Sequence, residues 1–267
     1  MGRGEFDLTD VSSIPRVLNF LHPSLIVNAA AYTAVDQAEG DEREAFAVNA
    51  EAPSALAQWA ALNDAALIHY STDYVFDGRK ASAYVEEDAL SPLNVYGRSK
   101  LAGEMAVRDS GAAHLILRTS WVYSSQGRNF LTTMLRLGAE KEELRVVADQ
   151  VGAPTSASWL AEATAEILEK CQGDPLQAFR RQGGLFHAVC SGETSWHGFA
   201  QAIFENARNR GLPCKLRSLL PIPSAEYPLP AERPANSRLS TAKLQDVWGV
   251  LPPPWREALD SVMEEMI

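Results

Sequence analysis

Short apolar runs alternate with longer stretches of helical periodicity through the first half of the chain. Leu25-Ile26-Val27, Ala66-Leu67-Ile68-His69-Tyr70 and Leu115-Ile116-Leu117 read as buried strands. Between them, residues 42–62 and 99–108 carry helical patterns, the first with a kink or break at Pro53. Strands and helices in strict alternation predict an α/β fold, a parallel sheet with helices on both faces. Such sheets bind ligands beyond the carboxyl ends of their strands. Here those ends carry small or polar residues, namely Asn28, Ser71-Thr72 and Thr119-Ser120.

After about Val122 the texture changes. An amphipathic helix is expected over 130–137, a strand over 144–147, and a helix over 158–171 with Ser158 as its N-cap. A strand at 185–189 and a helix at 196–210 follow. Residues 213–236 hold six prolines and read as extended or looped. Further helices are expected at 241–247 and 255–266. This organisation predicts a cofactor-binding and catalytic domain over 1–145. Residues 146–267 would form mainly a smaller substrate lobe, with some segments returning to the first domain.

Composition narrows the function. The chain has 267 residues, is 46% hydrophobic and 22% charged, and carries a net charge of −10. That balance, with no basic run, argues against a nucleic-acid partner. No apolar stretch has the length of a membrane span, so no membrane partner is expected and the cytoplasm is the default compartment. Cys171, Cys190 and Cys214 have neither disulfide nor metal-ligand spacing. His187 and His197 lack partners at metal spacing and read as structural, so no protein metal site is predicted. The glutamate-rich stretches 42–44 and 140–143 read as solvated helix faces.

Candidate chemistry centres on Tyr96 and Lys100. Their spacing puts both side chains on one helix face, one turn apart. Tyr-x-x-x-Lys alone is weak evidence, but an apolar strand ending in Ser71-Thr72 lies just upstream. A phenol, an ammonium and a hydroxyl are the groups needed to protonate a carbonyl oxygen while hydride is added to its carbon. The expected electrostatics are simple: the ammonium of Lys100 lowers the pKa of Tyr96 toward working pH. Thr72 hydrogen-bonds the same oxygen, and a nicotinamide supplies the hydride, because no side chain can. Among the six tryptophans, Trp121 follows a strand end beside these groups; Trp59, Trp159, Trp196, Trp248 and Trp255 read as packing. Arg233 and Arg238, in the proline-rich segment, are candidates to pair with a diphosphate.

These residues lie in stretches that resemble a known family. Residues 27–36 (VNAAAYTAVD), 71–78 (STDYVFDG), 92–97 (PLNVYG), 100–104 (KLAGE) and 118–123 (RTSWVY) are similar to the extended short-chain dehydrogenase/reductases, and within them to the dTDP-4-dehydrorhamnose reductases. Asp149-Gln150, Gly152, Pro154-Thr155, Arg233-Pro234 and residues 236–239 extend the resemblance over nearly the whole chain from Asp7. It implies a Rossmann-like fold with Thr72, Tyr96 and Lys100 as the catalytic trio. Ala29, Ala30, Ala31, Tyr96 and Lys100 would hold NADPH or NADH, with Lys100 on the nicotinamide ribose. Thr33, Val35, Asp73, Tyr74, Trp121 and Arg233 would bind the substrate, a nucleotide sugar. The implied reaction reduces the C4 ketone of dTDP-4-dehydro-L-rhamnose. Mg2+ and a homodimer complete what the resemblance allows.

One expected part is missing. No Gly-x-Gly-x-x-Gly or Gly-x-x-Gly-x-x-Gly occurs, and Gly2 and Gly4 follow no strand. The first family-like segment, Asp7-Leu8-Thr9-Asp10, comes after the second strand in relatives. The first strand-helix-strand unit is therefore expected to be absent, with an unpaired sheet edge, exposed apolar surface and little activity in this form. Two rival readings keep the fold. A nucleotide-sugar epimerase or dehydratase is disfavoured by Tyr74, where a dehydratase would carry Glu. A non-catalytic regulatory relative is favoured by the missing glycine loop and disfavoured by Tyr96 and Lys100.

Overall fold

The computed structural model describes residues 6–266; Gly2 and Gly4 lie outside them. The chain runs α1 (Ile14–Leu21), β1 (Leu25–Asn28), α2 (Val35–Ala38), α3 (Glu42–Phe46), a π-helical turn (Ala47–Glu51), α4 (Ala52–Leu62), β2 (Ala66–Thr72), α5 (Val95–Asp109) and β3 (Ala113–Thr119). Then come β4 (Val122–Tyr123), α6 (Phe130–Glu140), β5 (Glu143–Val147), β6 (Val151–Gly152), β7 (Thr155–Ser156), α7 (Ala157–Lys170), α8 (Pro175–Gln182) and β8 (Gly184–His187). Last are β9 (Thr194–Ser195), α9 (Trp196–Asn209), β10 (Ser218–Ile222), α10 (Ala242–Trp248) and α11 (Trp255–Glu264).

The main sheet has the order β1-β2-β3-β8 and is parallel throughout. Alternation along its strands feeds two cores. Ile26, Leu67 and Ile116 pack with Leu18, Leu56 and Val107 of α1, α4 and α5 on one face. Ile68, Leu115 and Leu117 face the other way, into a larger core with Leu160, Ile167 and Leu259 of α7 and α11. Each fully buried leucine or isoleucine contributes roughly 1.5–3 kcal/mol. Smaller pairings complete the fold: β5 with β10, β4 with β7, and β6 with β9.

Along the edge of β1 away from β2, which has no strand partner among the described residues, runs a groove of about 610 Å³. Leu18, Leu21, Leu25, Val27 and the Ala29–Ala31 segment line it.

One local expectation is refined and two need correction. Residues 42–62 are helical throughout, and the irregularity expected at Pro53 is a π-helical turn that ends just before it. The turn presents the Asn49 carbonyl to Gly103 of α5, where a Cβ would stand 2.0 Å from that oxygen. The catalytic-segment helix starts at Val95, not Ser99, because Asn94 caps it: its Oδ1 accepts from Gly97 N at 2.8 Å. Ser156, not Ser158, caps α7, accepting from Trp159 N at 3.2 Å.

Candidate active site

The carboxyl ends of β1, β2 and β3 open into a cavity of about 670 Å³. Thr72 ends β2, and α5 brings Tyr96 and Lys100 in from its first two turns. Gly97 lets this helix lie directly on the turn after β2, since a Cβ there would stand 2.3 Å from the Tyr74 carbonyl oxygen. Thr72 lines the cavity with Tyr96 and acts to lower the pKa of its phenol. The Thr72 hydroxyl donates to Asp73 Oδ1 at 3.1 Å and accepts from Tyr74 N at 3.2 Å. Thr33, Val35, Asp73, Tyr74, Trp121, Ala29 and Ala31 line the same cavity. Ala29 and Ala31 also line the groove beside β1, where Ala30 joins them, so the two spaces meet at this small-residue segment.

The electrostatics differ from the sequence-based expectation. Tyr96 is not acidified: burial pushes its phenol up to about 12, against a lowering by Thr72, and the charge of Asp73 raises it further. Lys100 is 2% exposed, and its Nζ donates to the Tyr70 carbonyl at 2.6 Å and lies 3.4 Å from His69 Nε2. Burial brings it down to about 8 despite the charge of Glu104. The reason is desolvation, which penalises the charged form of both groups and outweighs any mutual attraction. Burial likewise raises Asp73 to about 7, against a lowering by Ser237 and Thr72.

Trp121 has φ +49°, a left-handed conformation uncommon for a bulky residue. Its ring fits because Gly152 leaves room; a Cβ there would stand 2.8 Å from the indole. On its other side it stacks on Trp196, with centroids 3.7 Å apart and planes at 12°. Trp196 is therefore more than packing. It lines the catalytic cavity and a second one of about 730 Å³, and its Nε1 donates to Gln150 Oε1 at 3.1 Å. No motif singled it out, since Ser195-Trp196 opens an ordinary amphipathic helix.

Arg233 lines the second cavity, not the catalytic one. Its guanidinium is held bidentately by Asp36, at 2.9 and 2.7 Å. Arg238 lines neither; Asn236, Glu193 and the Ala81 carbonyl pin it. Two asparagines tie the site together, Asn49 without a sequence signal and Asn28 already marked as a strand end. Asn49 accepts from Tyr32 N at 2.8 Å and donates to Ser99 Oγ at 3.0 Å, tying the loop after β1 to α5. Asn28 Nδ2 meets His69 Nδ1 at 3.1 Å, behind Lys100. Among the described residues no cluster of three or more His, Cys, Asp or Glu could hold a metal ion, and no helix is long and apolar enough to cross a membrane.

Comparison with known proteins gives the family. The family model for the RmlD substrate binding domain matches residues 1–267. The chain is 45% identical over 260 residues to a dTDP-4-dehydrorhamnose reductase of Escherichia coli, covering 97% of this chain and 85% of that protein. It is 47% identical over 259 residues to the enzyme of the same name from Sinorhizobium fredii, covering 97% and 86%. The crystal structure of a dTDP-4-dehydrorhamnose reductase from Bacillus anthracis in complex with NADP superposes with a TM-score of 0.88, at 35% identity over 99% of this chain and 89% of that one. A Clostridium acetobutylicum reductase gives 0.89 at 34% identity, over 100% and 89%. A fold, a strand-end cavity and a sequence match that all run the length of the chain lead to one conclusion: this protein belongs to the RmlD substrate binding domain family.

Proposed function

We propose that this protein reduces the C4 ketone of dTDP-4-dehydro-L-rhamnose to dTDP-L-rhamnose with NADPH or NADH. The observation that carries the reading is that Thr72, Tyr96 and Lys100 line one cavity at the strand ends, together with Ala29. The relatives' names and the NADP in the Bacillus anthracis reductase support it.

The residues present suit a nicotinamide cofactor. Ala29, Ala30 and Ala31 place slim backbone along a groove that runs into the catalytic cavity. Lys100 lines that cavity, and its amine would hold the ribose. When bound, the reduced nicotinamide supplies hydride. The chain's own part is proton delivery. Tyr96, held near 12, keeps its proton at neutral pH and gives it to the ketone oxygen as charge develops there. Thr72 donates a hydrogen bond to that oxygen and holds it in line. Trp121 and Tyr74 wall the sugar, and the second cavity, beyond Trp196, takes the nucleoside diphosphate. In this assignment residues 1–145 carry cofactor and catalysis and 146–267 mainly the substrate lobe. The homodimer and the cytoplasmic setting belong to the reading on the resemblance alone. Size-exclusion chromatography with light scattering checks the first and localisation by fractionation the second.

The rate of NADPH oxidation with dTDP-4-dehydro-L-rhamnose tests the activity. Substrate-dependent oxidation that Tyr96→Phe lowers by about 10²–10⁴ is the expected result. Turnover unaffected by Tyr96→Phe would remove the phenol from the mechanism, and a wild-type protein that binds dTDP without any turnover would favour the non-catalytic reading.

A further inference from the structure

The start of α5, the end of α2 and the segment 227–236 close into a ring of hydrogen bonds that the proton chemistry does not use. Asn94 is 2% exposed and engages both ends of its amide. Its Oδ1 caps α5 at Gly97 N, at 2.8 Å, and its Nδ2 donates to the Glu232 carbonyl at 2.7 Å. The next residue, Val95, donates its N–H to Glu39 Oε1, just past α2, at 2.8 Å. Asp36 of α2 completes the circuit by accepting from Ala231 N at 3.2 Å and from both arms of Arg233. Tyr96 follows Val95 directly.

Segment 227–236 roofs the second cavity with Tyr227, Leu229, Ala231 and Arg233. It contains no helix or strand of its own. Its position therefore depends on what it is tied to. Capping alone does not require Asn, since Asp, Ser and Thr cap as well. Donating from the same side chain to a carbonyl on another segment needs a proton-bearing group of sufficient reach, which Asn has and Asp lacks; the shorter Ser hydroxyl carries its proton one atom closer to the backbone.

We propose that Asn94 is a positioning residue that fastens the roof of the second cavity to the first turn of the catalytic helix, so that a nucleoside diphosphate is bound in register with Tyr96. The inference rests on the proposed reading of that cavity. It adds a coupling: the group that fixes the phenol's helix also fixes the wall the nucleotide leans on.

Asn94→Asp separates the two tasks. The carboxylate caps Gly97 N and suits a helix N-terminus, but has no proton for the Glu232 carbonyl. Asn94→Ser repeats the separation without adding a charge. The measurements are dTDP affinity by titration calorimetry, KM and kcat for the nucleotide sugar, and the thermal unfolding midpoint. Both variants are expected to lower the midpoint by less than Asn94→Ala does, weaken dTDP about tenfold and raise KM by a similar factor, with kcat within about threefold. That is the worth of one hydrogen bond to a buried partner. Asn94→Ala, which loses the cap too, is expected to lower the midpoint further. If wild type binds dTDP and both capping variants bind it equally well, Asn94 is only a cap and the proposal fails. If wild type binds no dTDP, the reading of the cavity fails and takes the proposal with it.

Discussion

Asp73 gives the sharpest quantitative test of how burial shapes this site. The side chain is 3% exposed, accepts from Thr72 at Oδ1, leaves Oδ2 without a partner, and is raised from 3.8 to about 7 chiefly by desolvation. Each pKa unit corresponds to about 1.4 kcal/mol, so the shift amounts to roughly 4 kcal/mol between the protonated and ionised forms in the fold. The sign follows from proton uptake. Between the two pKa values the folded chain holds a proton that the unfolded chain has released, so raising the pH drains stability across that window. The contribution is complete below about pH 4 and gone once the pH passes about 7. Asp73→Asn removes this titration while keeping the size of the side chain. Urea denaturation at half-unit intervals from pH 4 to pH 8, for wild type and variant, isolates it, because the other groups cancel in the difference. Relative to Asp73→Asn, wild type is expected to lose roughly 4 kcal/mol over that range, most of it below pH 7. Parallel stability profiles would refute the reasoning, since a carboxyl that ionises as it does in water is not desolvated. The variant also takes away a negative charge that raises Tyr96.

Three further outcomes follow from the same geometry. With Lys100 near 8, reduction is expected to decline above about pH 8 as its proton is lost, a limb that Lys100→Met flattens; pH–rate profiles of kcat read this directly. Because that value lies below the ordinary 10.5, the unfolded chain holds the extra proton, and Lys100 weakens the fold less as pH rises from 8 toward 10.5. Glu104 and Arg118 form a fully buried bidentate pair at 2.9 and 2.7 Å, so Glu104→Gln is expected to cost about 3–5 kcal/mol in chemical denaturation, with Glu104→Leu/Arg118→Met recovering most of it. Trp196→Ala, removing the ring that stacks on Trp121 between the two cavities, is expected to raise KM for the nucleotide sugar about tenfold, more than it lowers kcat, in steady-state assays.

The sheet was legible because each of its first three strands is a short apolar run ending in a polar or small residue, and the alternation feeds two cores without ambiguity. Tyr96, Lys100 and Thr72 were legible as chemistry because the spacing and the strand end fix their side of the sheet. What escaped the sequence depends on tertiary contact. The π-helical turn exists because the Asn49 carbonyl must meet Gly103, and neither residue announces the other across the intervening chain. Asn94 was overlooked as a cap because Val95 and Tyr96 look like the end of an extended segment. Arg233, expected to pair with a diphosphate, is held by the chain's own Asp36, nearly two hundred residues away.

The largest departure concerns charge, and it changes the chemical argument rather than weakening it. A phenol lowered by an adjacent ammonium suits the removal of a proton from an alcohol. A buried phenol near 12 suits the opposite task, because it stays protonated until a developing alkoxide draws the proton away. The phenolate left behind sits in a desolvated site beside Asp73, which makes it a strong base. Lys100, one helical turn along and holding its own proton only to about 8, is then the weaker base of the two, so proton flow from the amine side toward Tyr96 runs downhill. Burial, which the spacing of Tyr96 and Lys100 does not reveal, thus orders the two groups by proton affinity.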